Sequence, residues 1–142
     1  MRVVLDSNIL VSVFDPKDRH HPVCEPLLEK IVLREIEVVC PVLVLAETVC
    51  AIQRRTGDSE FSTFVLQNLT QLRAISWNDC TVASVRAACR LGIETGLKGA
   101  DSIVVETAQS LKIPLVTQDL EIHSKCSDPV EVIEPSELVD QR

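Results

Sequence analysis

RVVLDSNILVSVF, residues 2–14, passes from a strand pattern to a helix pattern across three polar residues. Residues 2–5 predict a strand, and Ser7 or Asn8 can cap a short helix that runs through Phe14. The same change from an apolar strand run to an amphipathic helix recurs along the chain. Alternating strands and helices predict an α/β protein with a parallel sheet and helices on both of its faces.

The remaining elements are marked by apolar periodicity and by Pro and Gly. Pro41 suits the first turn of a helix, and Gly57 ends that helix. Further strands are predicted at residues 37–40, 74–76, 114–117 and 130–133. Further helices are predicted at residues 23–35, 42–55, 59–72, from Asn78 or Asp79 to 93, and 101–111, with a final turn from Pro135. The 142 residues show no repeat and no low-complexity linker, so they are predicted to form a single domain, 1–142.

The composition restricts the class of protein. The chain is 46% hydrophobic, which favours a compact globule over a disordered chain. Its apolar runs are shorter than the ~20 residues that span a bilayer, and it opens on a strand pattern rather than a signal peptide. The six cysteines form no CxxC pair and several lie in apolar runs. We therefore expect buried thiols in a reducing, cytoplasmic protein.

The net charge of −7 neither supports nor excludes a nucleic-acid partner. Acids are concentrated in the last part of the chain, and bound divalent cations would offset part of the negative charge. The aromatic content is more informative, because the chain has no Tyr, three Phe and one Trp. This composition argues against an aromatic platform on which RNA bases stack.

Four carboxylates lie beside apolar runs, where an unpaired charge is costly: Asp6, Glu47, Asp101 and Asp119. Asp6 and Asp119 follow predicted strands, which places them at the carboxyl edge of the sheet, where α/β proteins bind ligands. Asp101 lies in the first turn of a predicted helix. A divalent cation would neutralise several acids at once, and hard cations prefer oxygen ligands. The four acids therefore predict a metal-dependent enzyme.

Glu47 is the most informative of the four because helix capping cannot explain a carboxylate in the middle of a helix. In a helix over residues 42–55 its neighbours are apolar, and no Lys or Arg lies within one turn. These neighbours are Leu43, Val44, Cys50 and Ala51. Simpler structural roles stay open, since the three Asp residues can be helix N-caps or first-turn acids, and Glu47 can face a water-filled groove.

Four segments resemble the motifs of the PIN-domain ribonucleases, in particular of their VapC toxin branch. They are LDSNIL (5–10), VLAE (44–47), GADSI (99–103) with Ala108, and VTQD (116–119). The resemblance covers nearly the whole chain, and the ordered set is specific where no single motif is. Gln118 replaces a residue that is usually basic, and Ile122 one that is often aromatic. Both departures concern substrate contacts rather than metal binding.

This resemblance implies a three-layer α/β/α domain with a five-stranded parallel sheet. It also implies an Mg²⁺- or Mn²⁺-dependent ribonuclease that hydrolyses RNA phosphodiester bonds and leaves 5′-phosphate and 3′-hydroxyl ends. Asp6 and Asp101 are expected to bind the metal directly. Glu47 and Asp119 are expected to complete the site or to position the attacking water.

The resemblance extends to supporting residues and partners. Ser7 and Thr117 are expected to orient the carboxylates through their hydroxyls, although capping and turn hydrogen bonds account for both residues equally well. The family implies an RNA substrate and, if the chain is a toxin, an antitoxin protein as its partner. It also implies a homodimer that forms through helices in residues 42–72.

Several alternatives remain. A haloacid-dehalogenase-like phosphohydrolase would have a second Asp where Asn8 lies, and a nucleotide-binding protein would have a glycine-rich phosphate loop that the four glycines do not form. A catalytically silent PIN-like module that binds RNA or a protein is the alternative function. His20, His21 and Cys24 are spaced loosely like zinc ligands, and Lys98 can meet a phosphate, but ordinary loop positions account for all four more simply.

Overall fold

The computed structural model describes residues 1–126 and 130–140, and a parallel sheet lies at its centre. Its strands are β1 (Arg2–Leu5), β2 (Glu37–Pro41), β3 (Ile75–Asn78), β4 (Leu115–Val116) and β5 (Val132–Ile133). Within the described residues they form one five-stranded sheet in the order β3-β2-β1-β4-β5, and every pair is parallel. The predicted α/β class and the five-stranded parallel sheet are confirmed.

Helices cover both faces of this sheet. They are α1 (Ser7–Phe14), α2 (His21–Cys24), α3 (Pro26–Val32), α4 (Leu43–Thr56), α5 (Ser59–Gln71), α6 (Val82–Thr95), α7 (Gly99–Leu111), α8 (Leu120–Lys125) and α9 (Pro135–Val139). The chain adds strands in one direction from β1 to β3 and then crosses to β4 and β5 on the other side of β1. Because crossovers between parallel strands are right-handed, α1–α5 cover one face and α6–α8 the other. The three-layer arrangement is therefore confirmed.

The central strand β1 fixes the place of the functional site. Its residues Val3, Val4 and Leu5 are at most 1% exposed, since helices pack on both sides of them. Strand β1 pairs with β4 in the register that sets Leu5 against Val116. Since the two strands are parallel, the residues that follow them, Asp6 and Thr117, emerge side by side at the same edge of the sheet.

The helix predicted at residues 23–35 is wrong in its bounds. The structure has two short helices there, α2 and α3, with Glu25 between them. Pro26 cannot donate a backbone hydrogen bond, and it begins a new helix instead of continuing the first. At the other end Arg34 adopts a left-handed conformation with φ 59°, so that the helix ends before it.

Two other boundaries differ from the prediction. Helix α6 is capped by Thr81 and not by Asn78 or Asp79, because β3 extends to Asn78, and Thr81 and Ser84 form a reciprocal capping box. Helix α8 was not predicted at all. It is only six residues long and begins directly after the N-cap residue Asp119.

The cysteines are only partly buried. Cys24, Cys40 and Cys126 are buried, whereas Cys50, Cys80 and Cys89 are exposed. The prediction of buried thiols is thus wrong for three of the six, since an apolar run on an outer helix such as α6 buries only the side that faces its neighbour. Within the described ranges, no helix is long and apolar enough to cross a membrane.

An ion-pair cluster ties the loop after α1 to the end of α4. Arg55 Nη1 lies 2.6 Å from Asp18 Oδ2 and 3.5 Å from Asp15 Oδ2. Asp18 Oδ1 also accepts hydrogen bonds of 2.8 Å from the Ser12 hydroxyl and from the backbone N–H of His20. Burial alone would raise the pKa of Asp18, but Arg55 and these hydrogen bonds lower it below its ordinary value of 3.8.

Arg55→Gln is expected to lower the free energy of unfolding by about 1 kcal/mol at pH 7, since it removes the ion pairs of Arg55 with Asp18 and Asp15 at a half-exposed position. Because the pKa of Asp18 is lower in the folded protein than its unfolded value of 3.8, the ionised carboxylate stabilises the fold at pH values above 3.8. This stabilisation is lost as the pH falls below 3.8 towards the folded pKa. Urea unfolding at pH 7 and pH 3 tests both statements. Arg54→Gln, at the exposed neighbouring position, is the control. A loss in Arg55→Gln that is as large at pH 3 as at pH 7 would contradict the role of the ion pair.

Candidate active site

Asp6 is buried at the point where β1 becomes α1, and it is 5% exposed. Its Oδ1 accepts a 2.8 Å hydrogen bond from the Ser7 backbone N–H, and its Oδ2 accepts a 2.8 Å hydrogen bond from the Thr117 hydroxyl. Asp6 is thus the N-cap of α1, and the prediction that Ser7 or Asn8 caps this helix is wrong. The Asp6 carboxylate reaches the first free amide of the helix and still faces β4.

Thr117 links three parts of the site through one hydroxyl group. While its Oγ1 donates to Asp6, it accepts hydrogen bonds from the Asn8 side-chain amide at 3.2 Å and from the Asp119 backbone N–H at 3.1 Å. Thr117 is fully buried, so water does not compete for these bonds. Thr117 therefore makes the contact expected of a residue that orients Asp6, whereas Ser7 reaches Asp6 through its backbone N–H.

Asn8 is a supporting residue that was not predicted. Its Nδ2 lies 3.4 Å from Asp6 Oδ2 and 3.2 Å from Thr117 Oγ1, and its Oδ1 accepts a 3.4 Å hydrogen bond from the Gln118 N–H. The amide joins the ends of β1 and β4. The sequence did hold one clue to this role. Asn8 lies two residues after Asp6 in the first turn of α1, and that turn faces the edge where β4 ends.

Asp119 reaches the same edge from the start of α8. Its Oδ1 caps the helix by accepting hydrogen bonds from the backbone N–H groups of Glu121 at 2.8 Å and Ile122 at 3.1 Å. Its own N–H is held by Thr117. Asp119 is therefore the N-cap residue of α8, as the simpler structural role predicted. The same hydrogen bonds also fix its carboxylate beside Asp6.

Asp6, Glu47 and Asp101 each lie close enough to another of the four acids for its charge to raise their pKa. Burial raises the pKa of Asp101 to about 6, with further contributions from Asp119 and Asp6, while Lys98 acts in the opposite direction. Burial followed by the charges of Asp6 and Asp101 raises the pKa of Glu47. Burial also raises the pKa of Asp6, against the effect of its two hydrogen bonds, and Asp119 adds to the rise. Each of these three pKa values is thus raised by at least one other acid of the set, as expected for carboxylates around one site.

Glu47 lies at the margin of the buried side of α4, not in its centre. The buried residues of this helix are Val44, Thr48 and Ile52. Of the four apolar neighbours predicted for Glu47, Val44 is buried, Leu43 and Ala51 are half-buried and Cys50 is exposed, so this apolar side of α4 is only partly buried. The helix is rotated so that the row of residues 44, 48 and 52 meets the core, which leaves the half-buried Glu47 beside the other acids.

The donor set suits a hard divalent cation that keeps part of its water shell. Among residues 1–126 and 130–140, no three His, Cys, Asp or Glu side chains are close enough together to hold a metal ion. Mg²⁺ binds through one or two carboxylates and several waters, and this mode does not need three preformed ligands. Burial is the largest cause of the raised pKa values of Asp6, Glu47 and Asp101, and neighbouring acids add to each rise, a repulsion that a bound cation would relieve.

The weaker candidates have ordinary structural roles. His21 Nδ1 lies 2.7 Å from the carbonyl oxygen of Ser12 and thereby joins α2 to α1. Gln118 turns inward, where its amide nitrogen lies 3.6 Å from the buried Cys24 sulfur. This contact places the Gln118 side chain against α2.

Comparison with known proteins agrees with the fold. The PIN domain family matches residues 3–126, and the chain belongs to this family. Among solved structures it is similar to Mycobacterium tuberculosis VapC20, described as a sarcin-ricin loop cleaving toxin. The two chains are 13% identical, the match covers 86% of this chain and 93% of that chain, and the TM-score is 0.73.

Two further solved structures share the fold. PAE2754 from Pyrobaculum aerophilum is 17% identical, covers 98% of this chain and 93% of its own, and has a TM-score of 0.70. VapBC2 from Rickettsia felis, bound to a DNA fragment from its promoter, is 16% identical, covers 94% and 98%, and has a TM-score of 0.69. No curated protein sequence matches this chain significantly. The family is one of nucleases, and its VapC-like members are the structural neighbours of this protein.

Proposed function

We propose that this protein is a metal-dependent ribonuclease that hydrolyses RNA phosphodiester bonds. The observation that carries the proposal is that Thr117 joins Asp6 to Asp119 at the carboxyl edge of the sheet. The charges of Asp6 and Asp119 also raise the pKa of Asp101, and those of Asp6 and Asp101 raise the pKa of Glu47. Helix capping accounts for two of these acids but not for Glu47 in the middle of α4. A family of nucleases with this fold supports the same function.

The residues have distinct roles in this proposal. Asp6 and Asp101 bind Mg²⁺ or Mn²⁺, and Glu47 and Asp119 complete the site or hold the attacking water. A cation held by these residues would polarise the phosphoryl oxygen and lower the pKa of its bound water. Thr117 holds Asp6 in place through its hydroxyl. The products would carry 5′-phosphate and 3′-hydroxyl ends.

The proposal includes two protein partners. Several of the structural neighbours are toxin–antitoxin complexes, which supports a toxin role with an antitoxin as inhibitor. We further propose a homodimer that forms through the helices in residues 42–72, where Phe64 is 53% exposed. Co-purification with the product of the adjacent reading frame tests the first partner. The mass in solution of the wild type and of Phe64→Asp tests the second.

One observation favours the alternative of a catalytically silent PIN-like module that binds RNA or a protein. No group of three potential ligands is assembled in the part of the chain that the structure describes. Calorimetric titration with Mn²⁺ separates the two functions, because the enzyme requires binding that Asp6→Asn weakens. A silent module would give the same heats for both proteins.

Millimolar Mg²⁺ or Mn²⁺ is expected to raise the melting temperature by several degrees. An ion that binds only the folded protein adds about 2.7 kcal/mol when its concentration is 100 times the Kd, and relieves repulsion among the acids. Asp119→Asn should reduce this gain. Glu131→Gln is the control, since Glu131 is an exposed acid that precedes β5 at the opposite edge. An equal gain in the wild type and Asp119→Asn would remove Asp119 from the metal site.

A further inference from the structure

His123 contacts the loop that carries Thr117 and Asp119 from one turn along α8. Its Nε2 lies 2.8 Å from the carbonyl oxygen of Thr117 and 3.3 Å from Glu134 Oε1. A carbonyl and a carboxylate oxygen only accept hydrogen bonds, so Nε2 carries the proton and donates it. Two acceptors on one nitrogen fix the orientation of the ring.

The peptide that His123 holds belongs to the residue that organises the acids. The Thr117 N–H donates to the carbonyl of Ile133 at 3.2 Å, its carbonyl accepts from His123, and its hydroxyl donates to Asp6 at 2.8 Å. The same hydroxyl accepts the Asp119 N–H at 3.1 Å. The peptide between Thr117 and Gln118 also carries the Gln118 N–H, which lies 3.4 Å from Asn8 Oδ1. Rotation of this peptide would therefore weaken the contacts that both His123 and Asn8 make with the loop.

The other contacts of this loop are longer. The Gln118 N–H lies 3.4 Å from Asn8 Oδ1, and the Gln118 side chain lies 3.6 Å from the Cys24 sulfur. The first is long for an N–H···O hydrogen bond and the second is made to sulfur, a weak acceptor, whereas the 2.8 Å contact of His123 is short. His123 therefore provides the strongest of these side-chain restraints on the loop.

We propose that His123 is a positioning residue of the acidic site, which acts through Thr117 to hold Asp6 and Asp119 in the arrangement that binds a divalent cation. This inference rests on the proposed function. His123 neither binds the cation nor touches substrate. Its acceptor Glu134 is the N-cap residue of α9 and lies beyond residues 3–126, where the family match ends. The C-terminal segment thereby supports the site.

Three substitutions of His123 separate this role from simple packing. His123→Gln places an amide nitrogen near the position of Nε2, His123→Asn has the same group on a shorter side chain, and His123→Leu removes the donor. Ser124→Ala is the control, since its hydroxyl contacts only the carbonyl of Glu121 in the described structure. For each protein the Kd for Mn²⁺ is measured by calorimetry, and the melting temperature is measured in EDTA.

We expect the Asn and Leu variants to bind Mn²⁺ about tenfold more weakly than the wild type, the size of effect usual for residues that orient metal ligands. The Gln variant should restore most of the affinity, and Ser124→Ala should not change it. The Asn and Gln variants should melt at similar temperatures in EDTA. In RNA cleavage, kcat should fall in the Asn variant while KM for RNA stays the same.

Equal Mn²⁺ affinity in the wild type and in His123→Asn would overturn the positioning role, as would equal loss in the Asn and Gln variants. If His123→Leu does not fold, the comparison of Asn with Gln decides the question. A wild type that does not bind Mn²⁺ would overturn the proposed function, and this inference with it. Binding by the wild type that is unaffected by these changes would overturn this inference alone.

Discussion

Asp101→Asn is expected to reduce the rate of RNA cleavage by about 1,000-fold while the protein stays folded. The change removes a charged oxygen ligand from the proposed metal site, and a loss of about 4 kcal/mol of transition-state stabilisation corresponds to this factor. Because burial and the neighbouring acids raise the pKa of Asp101 to about 6, the neutral Asn also relieves repulsion in the metal-free protein. The measurement is single-turnover cleavage of a labelled RNA at saturating Mn²⁺.

Asp140→Asn is the matched control for this prediction, because it makes the same chemical change outside the site, at the C-terminal end of α9. The control should cleave RNA at the wild-type rate. Asp6→Asn should be as inactive as Asp101→Asn, since both are proposed to bind the cation directly. Near-wild-type turnover in either variant would remove that residue from the set of ligands.

Glu47→Gln is expected to abolish cleavage and to leave the stability of the metal-free protein equal or higher. Burial and the charges of Asp6 and Asp101 raise the pKa of Glu47 above its ordinary value of 4.5. A raised pKa in the fold means that the ionised form is disfavoured there, so at pH 7 the charge destabilises the protein. Gln has nearly the same volume and carries no charge, and it removes this cost.

The test combines chemical denaturation in EDTA with an RNA cleavage assay on the same preparations. Glu60→Gln, on the exposed side of α5, is the matched control and should change neither quantity. If Glu47 were instead paired structurally with a distant Arg or Lys, Gln would break the pair and destabilise the protein by a few kcal/mol. An active but strongly destabilised Glu47→Gln protein would thus contradict its functional role.

The position of the acids was predictable because it follows from the strand pattern. Asp6 and Asp119 come after apolar strand runs, and parallel strands bring such residues to one edge. The pairing of β1 with β4 was not predictable from local periodicity, because it depends on the order of strands in the sheet. That pairing, with Leu5 opposite Val116, is what sets the Thr117 hydroxyl against Asp6.

Other features depend on contacts between residues that are far apart in the chain. Asn8 lies 109 positions from Thr117, and Arg55 lies 37 from Asp18, so local sequence does not reveal either pairing, even though the position of Asn8 beside Asp6 indicated a role near the site. Helix α8 has six residues, too few to show a clear apolar period. The contact of His123 in α8 with the Thr117 carbonyl likewise depends on where β4 ends, which local periodicity does not show.

Cleavage of a 5′-labelled RNA by the wild-type protein tests the central claim most directly. The purified protein is assayed after exhaustive chelation with EDTA and again after Mg²⁺ or Mn²⁺ is restored, with Asp6→Asn and Asp101→Asn beside it. We predict no cleavage in EDTA, recovery on addition of either metal, and no recovery in the two variants. Wild-type cleavage that persists after chelation, or cleavage that the two variants share, would contradict a metal-dependent site built from these carboxylates.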